Sequence, residues 1–295
     1  MPMMESLKIA IAGNKGGVGK TMIAVNLFYA ANTISEHPCT LVDAHIQVPN
    51  IYHYIKELPK AEELIVSVRI PEIDQNACTF CGRCVHYCAF DAILMIKDSN
   101  YIKVLDDYCT SCGACVYACN DNAISERTEQ LGKISVYDLP KGRFIEGRMF
   151  AVRPLASPIV IQLNELIADA PVCIIDTPPG NSYPFTEAVR NVDFTLLVTE
   201  PGKPGLANLK DQIKILRNLK LQFAVIINKS MQDNYVIKEY LKKEAVPLLM
   251  EIPFNREYAD LHSKAEILIN HDTDLKLQFQ QLFQQIVDLK KEAVG

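Results

Sequence analysis

Apolar positions along this 295-residue chain fall into short runs separated by stretches of helical spacing. Leu7-Lys-Ile-Ala-Ile-Ala12 is closed by Gly13, and beyond the next loop Met22 to Ala31 reads as a helix. From Ala170 onward the runs Val172–Asp176, Phe194–Thr199, Phe223–Asn228 and Leu248–Ile252 alternate with helical stretches. Unbroken apolar strands alternating with helices are the pattern of a parallel sheet covered on both faces, so the spacing predicts an α/β fold. At the C-terminal end Leu275, Phe279, Leu282, Ile286 and Leu289 recur at helical spacing. The opposite face there is rich in glutamine with Asp288 and Glu292, not in Lys and Arg, so this helix is expected to pack on the domain and not on a membrane.

Thr40–Asp43 has the character of a further strand of the same sheet, yet roughly 130 residues separate it from Val172–Asp176. An ordinary crossover is far shorter, so a second module is inserted. Within the gap, Cys78–Ile93 and Cys109–Ile124 repeat at a period of 31 residues, which indicates an internal duplication. Leu131–Val152 contains strand-like stretches broken by Gly132, Gly142 and Gly147 and is expected to return the chain to the sheet. The expected division is a nucleotide-type fold in two parts, 1–62 and 154–295, around an α+β insertion, 63–153.

Composition narrows the classes. With 49% hydrophobic and 22% charged residues the chain has enough apolar surface for a full α/β core. A net charge of −5 offers no bulk attraction to phosphate backbones or anionic lipid, so neither nucleic acid nor membrane is an expected partner. No run approaches a membrane span and the first residues do not read as a leader, which makes a cytoplasmic protein the expectation. Lys141, Arg143, Arg148 and Arg153 form a local basic stretch, read as a solvated face.

Between the first strand and the first helix lies Asn14-Lys-Gly-Gly-Val-Gly-Lys-Thr21, which has Walker A spacing with Asn14 in place of the first glycine. Gly16, Gly17, Val18 and Gly19 would turn backbone N–H groups toward phosphate oxygens, Lys20 would add a charge at the β and γ phosphates, and the Thr21 hydroxyl would ligate Mg²⁺. Asn tolerates a left-handed backbone, so Asn14 does not break the motif. Asp176 ends an apolar strand, the Walker B arrangement for holding Mg²⁺, and Asp43 ends another at the edge where ligands of open α/β sheets gather.

Cys78-x2-Cys81-x2-Cys84-x3-Cys88 and Cys109-x2-Cys112-x2-Cys115-x3-Cys119 hold eight of the ten cysteines. In such runs three thiolates surround one four-iron cluster and the fourth belongs to the other. The spacing therefore predicts two [4Fe-4S] clusters, one on Cys78, Cys81, Cys84 and Cys119, the second on Cys109, Cys112, Cys115 and Cys88. Zinc ribbons need only paired CxxC units and would leave the third and fourth cysteines of each run unexplained. Ala89 and Asn120 stand where proline commonly follows the fourth cysteine. Cys39 and Cys173 lie in strands and read as small apolar residues.

The run Lys15-Gly-Gly-Val-Gly-Lys-Thr21 resembles the deviant Walker A motif of the MinD/ParA/Mrp and nitrogenase iron protein group. The whole order of motifs is similar to MinD/Mrp-type ATPases carrying a ferredoxin domain. That resemblance implies ATP hydrolysis by a dimer, homomeric or formed with a related ATPase, in which Lys15 reaches the partner's nucleotide. It makes Asp43 the switch I aspartate that positions water and Mg²⁺, Thr177–Gly180 switch II, and Asn228 and Pro253 part of the adenine-contacting segments. The family pattern Asp-x-Asp reads Asp43-Ala44-His45 here, so hydrolysis is expected to be slow or, through His45, pH-dependent, unless His45 is an ordinary loop residue. The expected function is coupling of nucleotide state to electron transfer or Fe–S/metallocofactor assembly for a redox or cofactor client. The alternative is a nucleotide-gated sensor or carrier with little hydrolysis.

Overall fold

In the computed structural model, residues 6–152, 155–231 and 234–294 are described; Arg153 of the basic stretch and the expected boundary at 153/154 lie outside them. The chain opens with β1 (Leu7–Ala12), α1 (Lys20–Ile34) and β2 (Cys39–Asp43). A long strand β3 (Glu62–Ile73) leads to α2 (Arg83–Tyr87), β4 (Ile93–Ile96), β5 (Tyr101–Val104) and α3 (Ala114–Ala118), and β6 (Ile124–Asp138) leads back. Then follow β7 (Arg143–Met149), α4 (Ser157–Leu166), β8 (Val172–Asp176), α5 (Tyr183–Arg190), β9 (Phe194–Thr199), α6 (Lys203–Asn218) and β10 (Gln222–Ser230). The chain closes with α7 (Tyr235–Lys243), β11 (Leu248–Pro253), α8 (Arg256–Ser263) and α9 (Thr273–Val294).

One sheet in the order β11-β10-β9-β1-β8-β2-β7-β6-β3 forms the frame, and β4 and β5 pair separately. All pairings from β11 to β7 are parallel, while β6 is antiparallel to β7 and β3 antiparallel to β6. The arms of the insertion are thus hydrogen-bonded into the same sheet as the parallel strands. At the root of the two arms Val66 pairs with Gly132 and Ser67 with Gln130, which leaves Leu131 as a bulge.

Successive residues of a strand point to opposite faces, and the two cores follow that alternation. Ile9, Ile11, Ile174 and Leu196 meet α1 and α9 on one face, where Phe28 and Phe279 are buried. Ala10, Ala12, Ile175 and Leu197 meet α4 to α7 on the other, around Ile159, Phe185, Leu209 and Ile237. Burying each such side chain contributes about 1.5–3 kcal/mol. Leu275, Phe279, Leu282 and Ile286 of α9 are buried against α1, as their spacing predicts, and among the described residues no helix is long and apolar enough to cross a membrane.

The inserted segment has a small core of its own, Cys84, Ile93, Ile102, Cys115 and Ile124. Its duplication extends to the backbone: Phe80 and Ser111, Gly82 and Gly113, and Asp91 and Asn122 all adopt positive φ, each pair 31 residues apart. The two halves interlock through the Thr79 hydroxyl, which donates to Asp121 at 2.8 Å.

Candidate functional site

The loop after β1 is shaped by steric necessity. A Cβ on Gly19, whose φ is +102°, would lie 2.2 Å from Asn228 Nδ2, and one on Gly13 would lie 2.8 Å from Val18 Cγ2. The glycines therefore let the loop pass close to β10 and turn directly into α1. That helix starts with no side-chain cap and no acid in its first turn, leaving its N-terminal N–H groups and positive dipole end available to an anion. Gly16, Gly17, Gly19, Lys20 and Thr21 line an open cavity of about 670 Å³ together with His45, Asn50, His53 and Tyr54 and residues 262–265.

Lys20 is almost fully buried; desolvation lowers its pKa, and the charge of Asp176 opposes that shift. Its Nζ lies 3.4 Å from the carbonyl of Lys15, and the Thr21 hydroxyl donates to Asp176 Oδ2 at 2.5 Å. An adjoining hollow of about 220 Å³ is lined by Asn228, Ile252, Pro253, Phe254, Tyr258 and Leu268, among others, an apolar slot of the kind that takes a flat ring. Asn228 also clamps the loop, donating from Nδ2 to the Val18 carbonyl at 2.7 Å.

Three carboxylates stand side by side at the strand ends, because Asp43 is in register with Asp176 of β8 and with Glu146 of β7. Asp43 is wholly buried and accepts from the N–H groups of His45 at 3.0 Å, Asn50 at 2.8 Å and Ile51 at 2.9 Å. It holds the loop after β2 in shape. Burial pushes both aspartates above the ordinary carboxylate range; the backbone donors to Asp43 and the Thr21 hydroxyl at Asp176 pull the other way. Among the described residues Asp176 Oδ1 and Glu146 Oε2 are buried without a hydrogen-bond partner. An orphaned carboxylate oxygen beside a phosphate loop and a hydroxyl is the donor set that suits Mg²⁺. His45 is half-buried, and desolvation with the nearby Lys20 charge lowers its pKa.

Asn14, Lys15 and Val18 line a different hollow, of about 230 Å³, together with Glu200 and Asn208. The Lys15 side chain is 64% exposed, with Nζ 4.0 Å from Glu200 Oε2. Lys229 spans the same region, donating to the Gly17 carbonyl at 2.9 Å and pairing with Glu200 at 2.5 Å. Glu146, Glu200, Tyr54 and His262 carry no motif, and sequence reasoning missed all four. Of the basic stretch, Arg143 pairs with Asp138 and Arg148 with Glu146 at 2.9 Å each, so these two are not free charges.

In the insertion two small cavities are each lined by four cysteines: Cys78, Cys81, Cys84 and Cys119 around one, Cys88, Cys109, Cys112 and Cys115 around the other. Backbone N–H groups donate to Sγ of Cys78 from Phe80 at 3.4 Å and of Cys109 from Ser111 at 3.5 Å. Ala92 and Ala123 do the same to Cys88 and Cys119 at 3.3 Å. Burial raises the thiols of Cys84 and Cys109 and pushes that of Cys115 up to about 11, whereas hydrogen bonds from Arg83 lower that of Cys81. Among the described residues no group of three or more His, Cys, Asp or Glu side chains is disposed to hold a single metal ion. A four-iron cluster is wider than an ion and its ligands stand correspondingly further apart, so the donor set of each cavity, four thiols with N–H···S bonds, fits a cluster.

A relative from Methanocaldococcus jannaschii, the uncharacterized protein MJ0579, is 26% identical over 292 residues, covering 97% of this chain and 99% of its own. The septum site-determining protein MinD of Pyrococcus horikoshii, solved with Mg-ADP, superimposes with a TM-score of 0.58 at 14% identity, covering 99% of this chain and 98% of that one. A single-residue variant of Cyanothece McdA, solved as its ATP complex, does so with a TM-score of 0.54 at 15% identity and 96% coverage of each chain. These solved structures share the fold: an α/β architecture on a mostly parallel sheet. The model of the CobQ/CobB/MinD/ParA nucleotide binding domain matches residues 9–269, and the chain belongs to that family.

Proposed function

We propose that this chain binds and hydrolyses ATP and uses the nucleotide state to control a module carrying two [4Fe-4S] clusters, serving electron transfer or Fe–S/metallocofactor assembly. The observation that carries this reading is that one continuous sheet joins the phosphate-loop cavity to two cavities of four cysteines each. The cluster module would lie within residues 63–153, of which β7 belongs to the parallel sheet, inside a nucleotide domain made of 1–62 and 154–295.

The backbone of residues 16–19 and the start of α1 hold the phosphates, Lys20 compensates their charge, and Thr21 with Asp176 would hold Mg²⁺. Asp43 keeps the loop 44–50 in place next to the γ-phosphate position, and Asn228 and Pro253 flank the base. Lys15, exposed and outside the phosphate cavity of its own chain, would reach the nucleotide of a second chain, so the active form is a homodimer or a heterodimer with a related ATPase. The cysteines assigned above would hold the clusters, whose chemistry is one-electron transfer to or from a client protein.

A second reading, a nucleotide-gated carrier with little turnover, is favoured by one feature. Asp43 spends both oxygens on backbone N–H groups, and the next acidic position of the family pattern is His45. Both readings are tested on anaerobically purified protein by iron and acid-labile sulfide content with phosphate release, with and without Lys20→Ala. About eight irons per chain and turnover that falls ~10²-fold or more in the variant support the ATPase. Full clusters without turnover select the carrier, and zinc in place of iron overturns both.

A further inference from the structure

We propose that Arg148 is a positioning residue that ties the loop over the phosphate cavity to β6, the strand that leads back from the cysteine module, and so passes nucleotide state from one to the other. This rests on the function proposed above and names the residues of its coupling. On that reading the loop 44–54 is next to the nucleotide, since His45, Asn50, His53 and Tyr54 line the same cavity as the phosphate loop. A segment that contacts the terminal phosphate is where loss of that phosphate is first felt.

On its other side this loop rests on β7. The Met149 N–H donates to the Ile46 carbonyl at 3.0 Å, and Gly147 is so close that a Cβ there would lie 2.7 Å from Ile46 Cγ2. The guanidinium of Arg148 sits 5.1 Å from the ring centroid of Tyr52, a cation–π contact, and is held there by Glu146 through Nε–Oε1 at 2.9 Å. Glu146 is 4% exposed and its second oxygen has no partner among the described residues, so Arg148 is the main compensation for a buried charge and is not free to leave it. Arg148 is therefore fixed from below by Glu146 and presented upward to Tyr52.

The same short strand is bonded to the module's arm. The Phe150 N–H donates to the Leu131 carbonyl at 3.1 Å, and a Cβ on Gly132 would lie 2.3 Å from the Arg148 carbonyl. β6 then continues through the bulge at Leu131 to Ile124, five residues after Cys119. A shift of Tyr52 that pulls on Arg148 thus acts on backbone that contacts β6 directly, at Leu131 and Gly132.

The test compares amide exchange of the full, cluster-loaded protein with ADP and with a non-hydrolysable ATP analogue, in the wild type, in Tyr52→Leu, and in the double variant Glu146→Gln/Arg148→Met. The double variant removes both charges together, so no lone buried charge is left, and Tyr52→Leu keeps the ion pair and removes only the ring. The wild type is expected to show nucleotide-dependent exchange in 44–54 and in 124–138. Both variants should keep the first difference and lose at least half of the second, with the visible absorption of the clusters unchanged. If both variants transmit the difference to 124–138 undiminished, the role of Arg148 is overturned and the coupling stands. If the wild type shows no nucleotide-dependent difference in 124–138, the coupling itself fails and this inference with it.

Discussion

The two halves of this molecule are held together by different means. The parallel part of the sheet buries large side chains on both faces, among them Ile9, Ile11, Phe28 and Phe279 on one side and Ile159, Phe185 and Leu197 on the other. The module between β3 and β6 has a core of its own made of Cys84, Ile93, Ile102, Cys115 and Ile124, two of which are proposed ligands. Its helices α2 and α3 are five residues each, too short to hold themselves. The lesson is that the nucleotide part is held by burial of large side chains, while the module has only a small core and, under the proposed function, would depend for its fold on what its thiols bind. The two cysteine cavities also differ. Cys109 adjoins the larger core, next to Ala92 and Val104, whereas Cys84 packs only within the small one, so the site of Cys78, Cys81, Cys84 and Cys119 is the less supported.

The largest effect is expected from removing iron. Chelation under reducing conditions should release the amides of 78–123 to free exchange, those of 78–88 first, while β1, β8 and β9 stay protected and ATP still binds. A module that keeps its protection without iron would break the comparison. A smaller effect, about 3–5 kcal/mol, is expected for Phe279→Ala in the sheet core, measured by urea unfolding. Iron per folded chain should not change; if clusters are lost as well, the halves are not independently supported.

The smallest concerns the buried carboxylates. Burial raises the pKa of Asp176 above its unfolded value, so in the metal-free protein its stabilising contribution is full below ~4 and is lost as pH rises through the raised value toward neutrality. Asp176→Asn, which cannot ionise, should therefore be more stable than wild type at pH 8 without Mg²⁺, equal to it in acid, and unresponsive to Mg²⁺. A variant that is less stable at pH 8 would mean that the ionised carboxylate is already compensated by the chain itself.

Much of the sheet was legible because buried parallel strands must be apolar throughout. Leu7–Ala12, Val172–Asp176 and Phe194–Thr199 are found with the bounds their apolar runs predict. The phosphate loop was legible because glycine spacing there is dictated by close approach, as the contact of Gly19 with Asn228 shows. β7 was harder to read: Arg143, Glu146, Gly147 and Arg148 interrupt its apolar character, and only pairing with β2, distant in sequence, makes it a strand of the parallel sheet. Glu146 was invisible for the same reason, since its meaning comes from standing opposite Asp43. Tyr54 and His262 meet across 208 residues, and no local pattern announces such a contact.

The bulge at Leu131 has a mechanical consequence. Beyond it β3 and β6 continue as a two-stranded ribbon from Ser67–Gln130 to Ile73–Ile124, seven residues on each side, or ~23 Å at ~3.3 Å per residue. A bulge is where a ribbon bends and twists most easily, and this one lies at the near end of the ribbon, with Leu131 buried. The ribbon is thus a lever with its pivot set in the protein interior. A few degrees of rotation at that pivot become a displacement of ångströms at the far end, and the thiols ride on the long side.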